Sequence, residues 1–340
     1  MSSRMDTVGI VSIGCSIPHN TISAEEISER AGLPENVLAE KVGMRRKPVA
    51  DLHQQPSTMA LDAAKIALAK AQIEPEEIGL IIFCGSAPQD YLLWSASAKL
   101  QYSLEARNAF AFEVTNGCNG ATLGMQIAKS MLLATSSLQS ALIVSADKYS
   151  PFIDFTDKNA VSLFHVADAA GAVVLKKNEP SNRIVSYFQI TDGSYSDYVR
   201  IKGGGTMFPY TSEEGTTYER QRFSVENPAE LSKLLSEVYF RNYIAAIRTA
   251  LRQIDLTPAD IDFLFTNQVK ASTMAAILES LQIPESKSFR SIENYGHMGT
   301  VDTLFALSSI LESRRISRGD IVVLASSAIG FSWAALVLEY

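Results

Sequence analysis

AAKIALAKAQIEPEEIGLIIF, residues 63–83, and AAIRTALRQIDLTPADIDFLF, residues 245–265, follow one plan. Leu68, Ile73, Pro75 and Ile78 of the first recur as Leu251, Leu256, Pro258 and Ile261 of the second. Each copy reads as an amphipathic helix, a Pro-acidic turn and a buried strand, 80–83 in one and 263–265 in the other. A second pair aligns without gaps, residues 118–144 with 297–323. Gly120 matches Gly299 there, and Leu132 matches Leu311. Two repeat pairs in the same order, at nearly one offset, predict two halves of like fold. Helices alternating with wholly apolar strands predict mostly parallel sheets covered on both faces. Two such halves stack as a five-layer αβαβα sandwich, with the helices that open at Cys118 and near His297 in the central layer. Residues 1–175 form one half and 176–340 the other.

Around Cys118 the chain reads Phe110 to Val114 as a buried strand, then a polar, glycine-rich turn, then Leu123, Ile127, Met131 and Leu132 at helical spacing. The thiol therefore falls where a strand turns into a buried helix. Helix starts carry unpaired N–H groups and partial positive charge, which favour a thiolate. Gly117 and Gly120 leave room for a substrate to approach the sulfur. A free cysteine can equally pack as a small core residue. At a Gly-Cys-x-Gly corner between strand and helix, a nucleophile is the preferred reading. The pseudo-twofold then brings His297 toward Cys118.

The chain has 340 residues and a hydrophobic fraction of 46%, enough for one large domain or two fused units. With 30 basic and 37 acidic residues the net charge is -7, which disfavours nucleic acid as the main partner. Cys15, Cys84 and Cys118 make neither a disulfide framework nor a metal-ligand pattern, so a reducing, cytoplasmic setting is expected. Val8 to Ile13 is too short for a signal core and reads as a first strand. No apolar run approaches membrane-spanning length, so no membrane association is expected. No metal or resident cofactor is expected.

The organisation resembles the thiolase superfamily, and within it the β-ketoacyl-acyl-carrier-protein synthase III branch, over nearly the whole chain. The marks are residues 42–46 (VGMRR), 115–118 (TNGC), 168–175 (DAAGAVVL) and the closing 329–337 (IGFSWAALV). The resemblance implies a thiolase-like α/β fold and a homodimer. It also implies acyl-CoA or acyl-carrier-protein thioesters as substrates and a catalytic Cys, His and Asn. The cysteine maps to Cys118. The family's His position holds Asn267, and its Asn position holds His297, so the pair is exchanged between two loops. By the same resemblance the backbone N–H groups of Cys118 and Ile329 form the oxyanion hole, Ile329 standing where glycine is usual. Leu93 and Trp94 are expected to approach the acyl pocket. Lys41 falls where the family places an arginine near the coenzyme A nucleotide. Lys158 and Lys270 are expected at the tunnel mouth, facing phosphate or a carrier protein.

Other residues take plainer readings. His165 is expected to be a core or surface histidine without a catalytic part, and Arg45 to Lys47 a solvated face. Residues 202–228 read as a long excursion that walls or lids a pocket. The expected function is an acyl-thioester condensing enzyme or acyltransferase with an acyl-Cys118 intermediate. Its place would be specialised biosynthesis, polyketide-like or of modified fatty acids, with His297 as base and Asn267 as polar partner. Two alternatives stand beside it: an ester- or amide-forming acyltransferase without decarboxylation, and a catalytically weak subunit of a sister ketosynthase.

Overall fold

A computed structural model of the chain describes residues 7–34, 36–209 and 221–340. Its strands are β1 (Val8–Ser16), β2 (Thr21–Ser23), β3 (Arg46–Pro48), β4 (Leu80–Phe83), β5 (Phe110–Glu113), β6 (Ser140–Asp147) and β7 (Ala169–Lys177). They continue as β8 (Arg183–Thr191), β9 (Val199–Ile201), β10 (Phe223–Val225), β11 (Phe263–Thr266), β12 (Ile321–Ala328) and β13 (Ser332–Glu339). The helices that matter here are α1 (Ala24–Ala31), α2 (Pro56–Ala71), α3 (Ala96–Leu104), α4 (Gly120–Ala134), α5 (Pro228–Arg252) and α6 (Ala271–Leu281). A short α7 (Ile292–Tyr295) and α8 (Val301–Glu312) follow.

Nine strands join in the order β11-β12-β13-β8-β1-β7-β6-β4-β5. The junction between β1 and β8 is a single residue pair, Gly9 with Arg183. On one side of it lie the strands of residues 8–177, on the other those of residues 183–339. The two sets repeat each other: β4 runs parallel to β6 as β11 does to β12, and β6 and β12 each pair antiparallel with the next strand. The copied Pro-acidic turns are both single 3-10 turns, Pro75–Glu77 and Pro258–Asp260.

The layers follow from burial. α2 opens on Pro56 with a Gln55/Thr58 capping box and buries Met59, Ala60, Ala63, Ala64, Ala67 and Leu68. It packs on β1, β6 and β7, while α5 packs on β8, β12 and β13. α4 touches β4, β6 and β7 but also β8 and β13; α8 touches β11 and β12 but also β1 and β7. α8 is buried on most sides, at Val301, Asp302, Thr303, Leu304, Ala306, Leu307, Ser308 and Ile310, and α4 buries Gly120, Ala121, Thr122, Gly124, Met125, Ala128 and Leu132. Such helices belong to a core, not a surface. They form the central layer, and each aliphatic side chain removed from water there contributes roughly 1.5–3 kcal/mol.

Two expectations change. The sheet is mixed: the β12/β13, β13/β8, β8/β1, β1/β7 and β7/β6 pairs are antiparallel. An apolar strand covered on both faces looks the same whichever way it runs, so direction is not written in its composition. The strand before Cys118, β5, is half-exposed, with Phe110 48% exposed. It lies at the end of the sheet with β4 as its one neighbour, which a run of apolar residues does not reveal.

Candidate active site

Cys118 lies in a 3-10 turn, Gly117–Asn119, that runs directly into α4. Gly117 adopts φ +53°, and a Cβ there would come within 2.8 Å of the Ala328 Cβ. Only glycine permits that conformation together with that approach. Gly120 packs equally closely, since a Cβ would lie 2.5 Å from the Cys84 carbonyl oxygen. Asn119, fully buried, donates to Ser332 Oγ at 2.8 Å and hydrogen-bonds Ser326. The thiol turn is thus fastened to β12 and β13 of the opposite half.

His297 precedes α8 in the matching place. Its N–H donates to the His165 carbonyl at 2.9 Å, and its own carbonyl accepts the Ala167 N–H at 2.8 Å. Its Nε2 lies 3.4 Å from Cys118 Sγ. On the other side Nδ1 lies 2.5 Å from Asp302 Oδ2. Asp302, fully buried in the first turn of α8, also accepts the N–H groups of Gln268 at 2.6 Å and Met298 at 2.9 Å. Burial alone would lower the imidazole pKa. The charges of Asp302 and Cys118 outweigh it and lift His297 to about 10. With Nδ1–H bound to the carboxylate, Nε2 is the nitrogen that exchanges a proton with sulfur.

Asn267 is not the partner of His297. It is 1% exposed and does not border the cavity at Cys118. Its Oδ1 accepts the Ser327 N–H at 3.2 Å and lies 2.9 Å from the Tyr243 hydroxyl. Its Nδ2 donates to the Ser327 carbonyl at 3.0 Å. The amide is fully used in holding β11 to β12, with no donor left for a substrate. The group in contact with His297 opposite the sulfur is Asp302, which no motif in the sequence marks. Its signal was an acidic residue five positions after His297, in the first turn of a helix that the repeat had already placed.

A cavity of about 1180 Å³ opens over Cys118 and His297. Ile329, Lys158 and Lys270 border it. The excursion contributes Phe223, Val225 and Pro228 to its wall; its residues 210–220 lie outside those described. Leu93 and Trp94 do not border it. Leu93 is fully exposed at a loop tip, and Trp94 is half-buried, edge-on to Tyr91. Lys41 is exposed in a single π-helical turn, Val37–Val42, apart from the cavity lining. Alignment to a pattern fixes a position along the chain, but a loop tip's direction depends on what covers it.

Lys47 is not solvated. It is 1% exposed and donates to the Val166 carbonyl at 2.6 Å; burial pushes its pKa down to about 7 against the opposing charge of Asp168. His165 does border the cavity, its ring 5.8 Å from that of His297 and nearly parallel to it. Neither position carried a sequence signal: Lys47 lies within β3 and His165 just before β7, and a polar residue type alone does not tell a buried position from a solvated one.

A repeated α/β fold with two central helices, one of them opening at a cysteine, is the thiolase arrangement. Among solved structures, the 3-oxoacyl-[acyl-carrier-protein] synthase III of Aquifex aeolicus VF5 superposes with a TM-score of 0.85 at 23% identity, covering 98% of this chain and 100% of that one. The priming β-ketosynthase of the R1128 polyketide pathway superposes with a TM-score of 0.87 at 20% identity, covering 98% and 96%. The family models for 3-oxoacyl-[acyl-carrier-protein] synthase III and its C-terminal part match residues 112–193 and 251–340. The β-ketoacyl-[acyl-carrier-protein] synthase III of Syntrophomonas wolfei is 28% identical over 333 residues, 98% of this chain and 97% of that one. The chain belongs to the thiolase superfamily, in its β-ketoacyl-ACP synthase III-like branch.

Proposed function

We propose that this chain is an acyltransferase that loads an acyl group on Cys118 from a coenzyme A or carrier-protein thioester. It then passes the acyl group to a nucleophilic acceptor without decarboxylation. The observation that carries this is the linear contact Cys118–His297–Asp302, with Asn267 withdrawn into structural hydrogen bonds. Enolate formation from a malonyl thioester needs two donors converging on one oxygen. His297 offers one, and Asn267 none.

The steps balance. Sulfur attacks the donor thioester carbon while the proton rests on His297. The tetrahedral intermediate collapses, the pantetheine thiolate leaves and takes that proton, and His297 becomes neutral. The acceptor attacks acyl-Cys118, its proton passes to His297 Nε2, the C–S bond breaks, and the thiolate and imidazolium return. Asp302 holds the ring and balances its charge. The oxyanion falls to the N–H groups of Cys118 and Ile329, a reading supported by the close approach of Gly117, next to Cys118, to Ala328, next to Ile329. Ile329 N–H makes no hydrogen bond within the described residues. Lys158 and Lys270 meet the phosphate of the donor arm. Residues 1–175 supply the nucleophile and 176–340 the histidine.

The active form is a homodimer joined along β5. β5 ends the sheet with Phe110 exposed, and Tyr91, Leu92 and Leu93 are exposed as well; an unpaired apolar edge invites a second strand. A Phe110→Lys variant that sediments as the natural protein does would overturn this. The chemistry is tested by intact mass spectrometry. One acyl mass per chain, on the peptide that holds Cys118 and absent from Cys118→Ala, is the expected result. Loss of that mass should need an acceptor and release no carbon dioxide from a malonyl donor. Ready carbon dioxide release would instead favour condensation, and no labelling by any thioester would favour a partner subunit.

A further inference from the structure

Lys47 packs against the turn that precedes His297. A Cβ on Gly296 would lie 3.1 Å from Lys47 Cβ and 2.3 Å from the His165 carbonyl oxygen. Among the described residues the Lys47 amine has one hydrogen-bond acceptor, the Val166 carbonyl at 2.6 Å. It also sits over the Phe155 ring, 5.3 Å from the centroid. Asp168, the carboxylate whose charge acts on it, is committed elsewhere: it accepts the Ala50, Tyr149 and Ser150 N–H groups and the Ser150 hydroxyl. Val166 stands between the two backbone bonds that hold His297. The His297 N–H donates to the His165 carbonyl at 2.9 Å, and the Ala167 N–H donates to the His297 carbonyl at 2.8 Å.

An apolar chain of similar length would fill this space without the desolvation of an amine. What the amine adds is a directional bond to one carbonyl, and that carbonyl belongs to the segment from which the His297 backbone hangs. Burial holds the Lys47 pKa at about 7, and the bond survives on either side of it, because the neutral amine still carries N–H donors. Resting on the Cys118–His297 pair of the proposed acyl transfer, we propose that Lys47 is the positioning residue of His297: its bond to Val166 fixes residues 165–167, and through them keeps Nε2 facing the sulfur at 3.4 Å.

The test compares Lys47→Met with Lys47→Arg, whose guanidinium also donates. Alkylation of Cys118 by iodoacetamide at pH 7 reads the thiolate that the His297 imidazolium faces, and it needs no acyl donor. It should slow about tenfold in Lys47→Met, inside the roughly 100-fold that a small misplacement can cost, and recover most of that loss in Lys47→Arg. Acylation at saturating thioester should slow by the same factor, with the half-saturating concentration unchanged. At pH 6 Lys47→Met should nevertheless melt no lower than the natural protein, which a merely structural role would not allow. Should no thioester label the natural protein, the acyl-transfer reading fails and alkylation still decides the part of Lys47. Alkylation within about twofold of the natural rate in Lys47→Met overturns the proposal. So does a lower melting temperature or a failure to fold in that variant, or a Lys47→Arg as slow as Lys47→Met.

Discussion

Asp302 Oδ2 lies 2.5 Å from Nδ1 of His297, the residue five positions before it. The carboxylate enters the first turn of α8 while the imidazole stands just outside the helix, so a local stretch of chain supplies both. The same carboxylate is pinned by the Gln268 and Met298 N–H groups, which fixes its oxygens before any substrate arrives.

Asp302→Asn keeps the shape but cannot hold the same tautomer of His297. Acyl-Cys118 formation should slow by roughly 10,000-fold, the loss seen when the orienting carboxylate of such a triad is replaced by an amide. Rapid-quench mass spectrometry measures it, and a melting curve separates it from unfolding. Acylation within about threefold of the natural rate would remove Asp302 from the mechanism.

The pH profile carries the same information. His297 holds its proton up to about 10 because the charges of Asp302 and Cys118 outweigh burial. Its folded pKa is raised, so the stability it contributes is complete below the unfolded value near 6.5 and is lost as pH climbs through about 10. Acylation should likewise persist through neutral pH and decline on the alkaline side. In Asp302→Asn the decline should move to lower pH, as read from the rate of Cys118 acylation across pH by rapid-quench mass spectrometry.

Asn267→Ala should behave as a structural lesion. It strips partners from the Ser327 N–H and carbonyl inside the core, costing about 1–3 kcal/mol of stability. Denaturant titration should show that loss while the folded fraction still acylates Cys118. Full stability with abolished acylation would restore Asn267 to the reacting atoms.

Lys47→Met should flatten one part of the stability curve. Burial lowers the Lys47 pKa to about 7, below its unfolded value near 10.5. The unfolded chain then binds more protons between those values, so the natural protein gains stability as pH rises from about 7 toward 10.5. Below about 7 the burial penalty is present in full. The variant should therefore melt higher than the natural protein below neutrality, and the difference should shrink on the alkaline side. A difference that does not vary with pH would mean that Lys47 stays charged in the fold.

Much was legible in the chain because it is local or periodic. The two Pro-acidic units and the two helix starts at Cys118 and His297 recur at fixed spacing, and periodicity survives without coordinates. From that came the central helices and the meeting of thiol and imidazole, which stand 3.4 Å apart. The apolar runs announced strands but not their direction, since a strand covered on both faces has no preferred sense in its composition. Which polar residues do what was decided only in three dimensions. Asn267 reads as a polar partner of the reaction and is consumed by Ser327; Asp302 carries no reading in the sequence and hydrogen-bonds His297; Lys47 reads as solvated and is buried. A polar side chain's part depends on which donors and acceptors reach it across the fold, and those partners lie up to 60 residues away in the case of Asn267 and Ser327. Sequence spacing sets what a segment becomes, while hydrogen-bond partnership across layers sets what a side chain is free to do.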